Sequence, residues 1–135
     1  MASDESRETR VGKQRTFRFE RIEAWKLARV FNRSVYKTTR GLPKEELFEL
    51  SAQLRRASVS VSSNIAEGSG RNSEVAYGPL MEVVSQIFIA LDEGYIAQAE
   101  FDHLAQQADL LAGKIVALSK SLGRRPRITP PPSRP

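Results

Sequence analysis

The chain of 135 residues contains no cysteine and a single histidine, His103. Without cysteine there can be no disulfide, thiolate metal site or cysteine nucleophile, and one histidine leaves little for general-base or triad chemistry. We find no signal peptide and no run that approaches the ~20 apolar residues needed to span a bilayer. These absences predict a non-enzymatic protein without cofactor, metal or membrane, placed in the cytoplasm by default.

The spacing Glu100-x-x-His103 is one that di-iron helical bundles use. Such a site needs a second pair of this kind and two further glutamates. The apolar neighbours Phe101 and Leu104 place His103 off the core face of its helix. We therefore expect no metal site here.

Positive charge is unevenly distributed along the chain, whose formal net charge is +5. Residues 16–71 hold 11 basic and 6 acidic side chains, whereas residues 72–119 hold Lys114 alone against 7 acids. Opposite charge on the two halves is compatible with helices that complement each other within one bundle. It is equally compatible with a head-to-tail oligomer in which a basic face meets the acidic face of the next copy.

Four segments carry apolar residues at the three- and four-residue spacing of an amphipathic helix. The first, from about Glu20 to Thr39, has Ile22, Trp25, Ala28, Phe31 and Val35; the second, from Pro43, has Leu47, Leu50, Leu54, Ala57, Val61 and Asn64/Ile65; the third has Leu80, Val83, Val84, Ile87 and Leu91; the fourth has Phe101, Leu104, Ala108, Leu111, Ile115, Leu118 and Leu122. Pro79 requires the third helix either to kink, if it begins at Ser73, or to begin at Gly78. Short connections between such helices predict an all-α, antiparallel up-down four-helix bundle.

We expect this bundle to be a single domain over residues 16–122. The polar N-terminal segment 1–15 lacks periodicity, and the segment 123–135 is rich in proline and arginine. Neither can offset its ordering entropy by burial, so both are predicted to be disordered tails.

The stretch Gln53–Arg71 gives two conflicting signals. Its centre, Ala57–Ser62, alternates like a strand, but helical spacing continues through it on both sides, so we predict helix. Asn64 and Glu67 are interpreted as a structural brace of a turn capped by Gly68, together with Arg56, which can pair with Glu49.

Apolar side chains outside the core series predict a second contact. They lie on the second and third helices, and their neighbour is either a sister helix or another subunit; with so small a core we favour a subunit. The predicted oligomer interface comprises Phe48, Ala52, Val59, Ala66, Met81, Phe88 and Ile89.

A stripe of cations on the first helix is the main candidate for binding. Its members, spaced by three or four residues, are Lys26, Arg29, Arg33, Lys37 and Arg40. Such a stripe is usually a solvated face, and as a functional feature it would follow a phosphate backbone. Arg55 is interpreted as freer than Arg56 for phosphate contact, and the tail adds Arg124, Arg125 and Arg127.

The segment Gln53–Gly68, QLRRASVSVSSNIAEG, resembles the signature QLRRAxxSVxSNIAEGxxR of proteins encoded by intervening sequences in bacterial 23S rRNA genes. Trp25 with Ala28, Val35-Tyr36, Leu80 with Glu82 and Gly94-Tyr95-Ile96 are similar as well, so the likeness covers about Phe17 to Leu122. It extends remotely to accessory proteins of diversity-generating retroelements. Gly78-Pro79 and a missing stretch between Arg71 and Val75 depart from the pattern and predict a third helix that is short at its start.

The resemblance implies an antiparallel bundle, a homopentameric ring and no known enzyme activity. For the retroelement relatives it implies a basic ring surface that contacts nucleic acid and a reverse transcriptase. We therefore expect a non-enzymatic oligomer that binds nucleic acid, most readily RNA. The alternative is a structural or adaptor protein whose charges serve self-assembly or a protein partner such as a reverse transcriptase.

Overall fold

The structure is a computed structural model in which residues 12–44, 48–67 and 70–123 are described, with side chains over 20–44, 48–67 and 73–120. Over these residues it contains five helices: α1 (Gly12–Arg40), α2 (Phe48–Glu67), α3 (Gly70–Val75), α4 (Tyr77–Asp92) and α5 (Gln98–Gly123). Over these ranges there is no strand, which confirms the all-α prediction. The predictions made for Leu47, Gly68, Arg124, Arg125 and Arg127 lie outside the described residues.

The strand-like stretch within Gln53–Arg71 is helical up to Glu67. Leu54, Ala57, Val61 and Ile65 are buried on one face of α2. The prediction that helical spacing overrides the alternation of Ala57–Ser62 is confirmed, because burying this face satisfies the three- and four-residue period through the whole segment.

Helix α1 begins at Gly12, eight residues before the expected start at about Glu20. Residues 12–15, predicted as part of the disordered tail, therefore belong to the helix. Lys13, Gln14 and Arg15 are good helix formers. Once a helix is nucleated, each such residue adds a hydrogen bond without needing burial, so the segment can extend beyond the core.

The third predicted helix is divided into α3 and α4 by a turn at Ala76. It neither runs kinked from Ser73 nor starts at Gly78. Pro79 is the third residue of α4, within the first turn, where backbone N–H groups have no partner inside the helix. The ladder begins immediately afterwards, with the Leu80 N–H donating to the Ala76 carbonyl at 3.3 Å. Proline thus costs this helix no hydrogen bond.

The four long helices surround one core. Helix α1 contacts α2 and α5, and α4 contacts the same two helices, while α1 and α4 do not contact each other in the described part of the chain. The predicted series of α5 is confirmed from Phe101 to Leu118, all of it buried. The short α3 packs against α5 and also contacts α2 and α4.

The core differs from the prediction on α1. Ile22 is 39% exposed and Trp25 is half-buried, whereas Ala24 is fully buried beside Ala28 and Phe31. The buried face of α1 therefore passes through Ala24, one residue away from the position of Trp25 that the apolar series predicted. A small alanine fits where α1 lies close to its neighbours, and the bulkier Trp25 covers the edge of the core.

Helix α4 is more apolar than expected from the sequence. By length and composition the stretch Ser73–Asp92 would suffice to cross a membrane, contrary to our expectation that no run approaches this length. Leu80, Val83 and Ile87 are buried in the common core, which is the ordinary reason for such a composition in a bundle. Phe88 and Ile89 of the same helix are about half exposed, so part of the apolar surface of α4 faces outward.

The connection from α4 to α5 depends on Gly94, which has φ 77°. The Tyr95 N–H donates to the Ala90 carbonyl at 2.8 Å, and the Gly94 N–H donates to the Leu91 carbonyl at 3.0 Å. These two bonds form a Schellman motif, a helix end in which one residue, here Gly94, adopts the left-handed backbone conformation. The motif ends α4 and returns Tyr95 and Ile96 to the core.

We expect Gly94→Ala to lower the free energy of unfolding by about 1–2 kcal/mol, because alanine disfavours the left-handed conformation. No atom lies within 4 Å of an added Cβ at this position, so the cost comes from the backbone. Gly113→Ala is the matched control, since Gly113 also has open space around its Cβ position but sits in the helical part of α5. It should raise the free energy of unfolding by about 0.5–1 kcal/mol. Urea unfolding of both variants checks the pair, and equal effects would contradict it.

Candidate nucleic-acid interface

The cationic stripe of α1 lies on the outside of the molecule. Lys26, Arg29, Arg33, Lys37 and Arg40 are all exposed. The Arg29 guanidinium stacks over the Trp25 ring, 4.9 Å from its centroid. No carboxylate among the described side chains forms an ion pair with any member of the stripe. Its positive charge is therefore not neutralised within the described part of the chain.

A cluster of polar side chains fixes α1 against α2. Asn32 Nδ2 donates to Ser62 Oγ at 3.0 Å, and Ser58 Oγ donates to Asn32 Oδ1. Ser58 and Ser62 are buried. The small side chains of Ser58 and Ser62 thus face α1 of the same chain. Because buried polar groups must find partners, only one alignment of the two helices satisfies this cluster.

Arg55 belongs to the same helix contact. Its Nε donates to Thr39 Oγ1 at 2.8 Å, and its guanidinium lies 4.7 Å from the centroid of the Tyr36 ring. Thr39 in turn donates to the Tyr36 carbonyl at 2.9 Å. The expected order of the two arginines is reversed: Arg55 is half-buried and held by α1, whereas Arg56 is exposed.

Of the remaining signature residues, Arg56 lacks its expected ion pair and Asn64 forms a hydrogen bond within α2. No ion pair joins Arg56 to Glu49, although the structure describes both side chains. Asn64 Nδ2 donates back to the Ser60 carbonyl at 2.8 Å, one turn earlier in α2. Glu67 is the exposed last residue of α2. The described bonds of Asn64 thus strengthen the end of the helix, and the turn it was expected to brace includes residues that are not described.

A polar groove runs beside the stripe, between α1 and the first half of α5. Its volume is about 930 Å³. The α1 wall includes Arg33, Lys37 and Arg40, and the α5 wall includes His103 and Gln107. The groove therefore combines cations on one side with hydrogen-bonding side chains on the other.

Glu100 also lines the groove, and its role is to cap α5. Its Oε1 accepts the Ala97 backbone N–H at 3.1 Å, which is half of a capping box. The Glu100-x-x-His103 spacing thus arises because Glu100 caps the start of α5 and His103 lines the groove one turn later. Within the described ranges no three His, Asp or Glu side chains come together as metal ligands.

The predicted interface residues form two separate apolar patches. Phe48 (71% exposed) and Val59 lie on α2, while Phe88 (50%) and Ile89 (49%) lie on α4. At 100° per residue, Phe48 and Val59 project near Arg55, on the flank of α2 towards α1. Phe88 packs on Phe101 of α5 with ring centroids 4.7 Å apart. One patch therefore borders α1 and the other borders α5.

The other three predicted interface residues are less uniform. Ala66 is exposed, whereas Ala52 and Met81 are half-buried, and Met81 packs against the core. By helical position Ala52 and Ala66 belong with the α2 patch, and Met81 lies on the α5 flank of α4 with Phe88. We call these surfaces the α2 patch (Phe48, Ala52, Val59, Ala66) and the α4 patch (Met81, Phe88, Ile89).

The ion pair between α1 and α5 does not join a cation of the basic half, residues 16–71, to an acid of the acidic half, residues 72–119. Lys114 Nζ lies 3.6 Å from Glu23 Oε1. This pair uses the one cation of residues 72–119 and an acid from the basic half. The acids of α4 and α5 remain exposed, among them Glu82, Asp92 and Asp109. Complementarity between the halves is thus largely unused inside the described molecule.

Several residues that position the stripe were not identified from the sequence. Asn32, Tyr36 and Thr39 carry the contact with α2, and Gln107 lines the groove. A polar side chain at a helical core position, such as Thr39 four residues after Val35, is the signal that marks buried hydrogen bonding. Gln107 has the same kind of position, three residues after Leu104 and four before Leu111.

Comparison with known proteins gave one family match. The family described as 23S rRNA-intervening sequence protein has a model that matches residues 20–117. The matched range extends from the described start of the α1 side chains almost to the end of the α5 core series, and it includes the stripe and the signature of α2. No individually curated protein matched the chain.

Neutralising the two adjacent arginines should have different effects on stability. Arg55→Gln removes a charged hydrogen bond and a cation–π contact and should lower the free energy of unfolding by about 1–2 kcal/mol. Arg56→Gln is the matched control, and as a surface change it should stay within about 0.5 kcal/mol of the wild type. Chemical unfolding measures both. Equal stability of the two variants would show that the contacts of Arg55 do not hold α1 against α2.

Proposed function

Because the chain belongs to the family of 23S rRNA-intervening sequence proteins, we propose that it is a non-enzymatic protein that binds RNA through the cations of α1. The observation that carries the proposal is the exposed stripe from Lys26 to Arg40, which has no ion-pair partner among the described carboxylates. Cations that are not neutralised within the molecule release counterions when they meet phosphate, and this is the main source of nucleic-acid affinity.

The geometry of the stripe supports a phosphate strand as its ligand. Its members recur every three or four residues, so neighbouring charges are about 4.5–6 Å apart along the helix axis. Lys37 and Arg40 lie in the last turn of α1, where cations are also favoured by the helix dipole. Since α1 is aligned by hydrogen bonds to α2, the row is held on one rigid element instead of a loop.

We further propose that the helices form an antiparallel up-down bundle. Asn32 contacts Ser62 and Thr39 contacts Arg55, so residues later on α1 meet residues earlier on α2. Glu23 reaches Lys114, whereas Lys37 and His103 line the same groove, which gives the same opposite sense for α1 and α5. Together with the short connections, the opposite directions of these helix pairs support a bundle in which the direction reverses from each long helix to the next.

Self-assembly into a ring is part of the proposal. A head-to-tail contact needs two different surfaces that complement each other. The α2 patch lies on the basic side of the molecule, and the α4 patch lies on the acidic side. Placing one against the other in the next copy would cover both apolar surfaces and bring opposite charges together.

The second candidate function is an adaptor whose charges serve assembly alone. The exposed acids of α4 and α5 favour it, because they offer the stripe a partner in the next copy. In that case RNA and the neighbouring subunit would compete for the same cations, or RNA would not bind at all. A protein partner with an acidic surface, such as a reverse transcriptase, belongs to the same class.

The salt dependence of RNA binding tests the leading proposal. The variant Lys26→Gln/Arg33→Gln/Lys37→Gln omits Arg29, whose loss would also remove packing on Trp25. If each cation meets one phosphate of a single strand, the slope of log affinity against log salt should become less steep by about 2. Fluorescence anisotropy with a labelled RNA over a salt series measures it.

The control variant removes the same charge from elsewhere. Lys44→Gln/Arg56→Gln/Lys120→Gln neutralises three exposed cations that lie outside α1. It should leave most of the wild-type slope intact. Equal losses in the two variants would show a response to net charge and not to the stripe, and a negligible slope for the wild type would reject RNA binding.

The ring proposal predicts that a charge in the α4 patch prevents assembly. Ile89→Glu should convert the oligomer to smaller species, because it places a carboxylate within a contact that excludes water. Leu110→Glu is the control, since Leu110 is similarly exposed (54%) but belongs to neither patch. Sedimentation velocity at equal concentrations compares them. A monomeric wild type, or equal dissociation of both variants, would contradict the proposal.

A further inference from the structure

We propose that the groove between α1 and α5 binds an unpaired nucleotide of the RNA, with its phosphate at the α1 wall and its base at the α5 wall. This inference rests on the proposed function and specifies which form of RNA the protein recognises. It assigns a role to His103 and Gln107, which the stripe alone does not use.

The size of the groove fits one small polar group. Its volume of about 930 Å³ lies within the range of about 300–1,000 Å³ that small-molecule sites occupy. Most of its lining residues are polar, but more of the lining surface comes from apolar atoms than from polar ones. A ligand that combines a flat apolar part with charged and hydrogen-bonding groups therefore suits it, and a nucleotide is such a ligand.

The two walls have different chemistry. Arg33, Lys37 and Arg40 offer N–H donors and positive charge, which suit a phosphate. Opposite them, His103 can donate or accept a hydrogen bond, and Gln107 can do both through its amide. A nucleotide carries the matching groups at its two ends, with an anionic phosphate and a base edge that has both donors and acceptors.

Gln107 provides the observation that calls for a ligand on the α5 wall. Its Oε1 is buried and accepts no hydrogen bond from the described residues. This oxygen is shielded from the groove, so a base amino group or a ribose 2′-hydroxyl reaches it only after the Gln107 side chain rotates, and that pairing then satisfies the oxygen. Glu100, the one carboxylate of the groove, is already engaged with the Ala97 N–H at the start of α5. Its charge therefore opposes the ligand less than a free carboxylate would.

The geometry selects an unpaired strand over a duplex. Helices α1 and α5 pack directly against each other, and packed helices have axes about 8–10 Å apart. A duplex is too wide to enter a groove of this origin and would touch only the rim formed by the stripe. A nucleotide from a loop, bulge or single strand can enter, and such unstacked nucleotides are the usual targets of base-specific RNA recognition.

Binding of three RNAs to the full chain tests the inference: a single-stranded oligonucleotide, a hairpin with an unpaired loop and a blunt duplex. Gln107→Ala and His103→Ala should each weaken binding of the first two about five- to tenfold, the loss expected for one hydrogen bond. Duplex affinity should stay within twofold. Gln106→Ala, at an exposed neighbour outside the groove, should bind all three RNAs like the wild type.

A second variant tests the groove without removing a buried side chain. Ala99→Glu places a carboxylate on the rim, and an acid in the first turn of α5 is favourable for the helix, so the protein should remain folded. It should weaken binding of single strands at least tenfold, whereas Gln106→Glu, with the same added charge, should have a much smaller effect. Thermal unfolding of each variant confirms that it is folded.

The outcomes separate this inference from the proposed function. If the groove variants bind all RNAs like the wild type while loss of Lys26, Arg33 and Lys37 weakens binding, the groove proposal is wrong and RNA binding by the stripe stands. Equal weakening for duplex and single strands also rejects the groove as a site for unpaired nucleotides. If the wild type binds none of the three RNAs, both proposals fail.

Discussion

The contact between α1 and α2 determines which surfaces this molecule presents. Asn32 meets Ser58 and Ser62 at one point, and Arg55 meets Thr39 and the Tyr36 ring two turns further along. These bonds are directional, whereas apolar packing tolerates small shifts. A slip of one residue would rotate α1 by about 100° and bury part of its cationic stripe. The polar cluster thus links the signature of α2 to the exposure of charge on α1.

This role also explains why the signature is rich in serine at positions that otherwise suit a strand. Ser58 and Ser62 are small enough for α1 to approach closely, and their hydroxyls satisfy Asn32. Larger apolar residues would fill the same space but leave the asparagine unpaired. This part of α2 therefore aligns the helix with α1, and Arg55 adds a further hydrogen bond at the edge of the contact.

The described molecule has two sides with different properties. Helices α1 and α4 lie on opposite sides of the core, since each contacts α2 and α5 and they do not contact each other over the described residues. Exposed cations without an ion-pair partner among the described carboxylates lie along α1, and apolar side chains such as Ile89 are exposed on α4. A protein with this division can bind a polyanion on one side and another protein on the other. The same division leaves the cations available to a neighbouring copy, which is why the two candidate functions compete.

Sequence reasoning identified the helices more successfully than the contacts between them. The apolar series of α5 predicted its buried face from Phe101 to Leu118 because periodicity depends on one helix alone. The prediction for Ile22 was wrong because the buried face of α1 passes through Ala24, Ala28 and Phe31, and Ile22 lies off that face. The environment of Arg55 could not be predicted, since its partners Tyr36 and Thr39 lie on another helix and no local pattern connects them. The groove likewise depends on how α1 and α5 pack.

Photo-crosslinking can show whether the outer face of α1 is the RNA-binding surface. RNA carrying photoreactive bases would be crosslinked to the full chain, and the modified peptides would be identified by mass spectrometry. We expect crosslinks within residues 26–40, which carry the stripe, and within residues 99–107 of the facing groove wall. Crosslinks confined to residues 77–92 of α4, or no crosslink above a salt-insensitive background, would contradict this expectation.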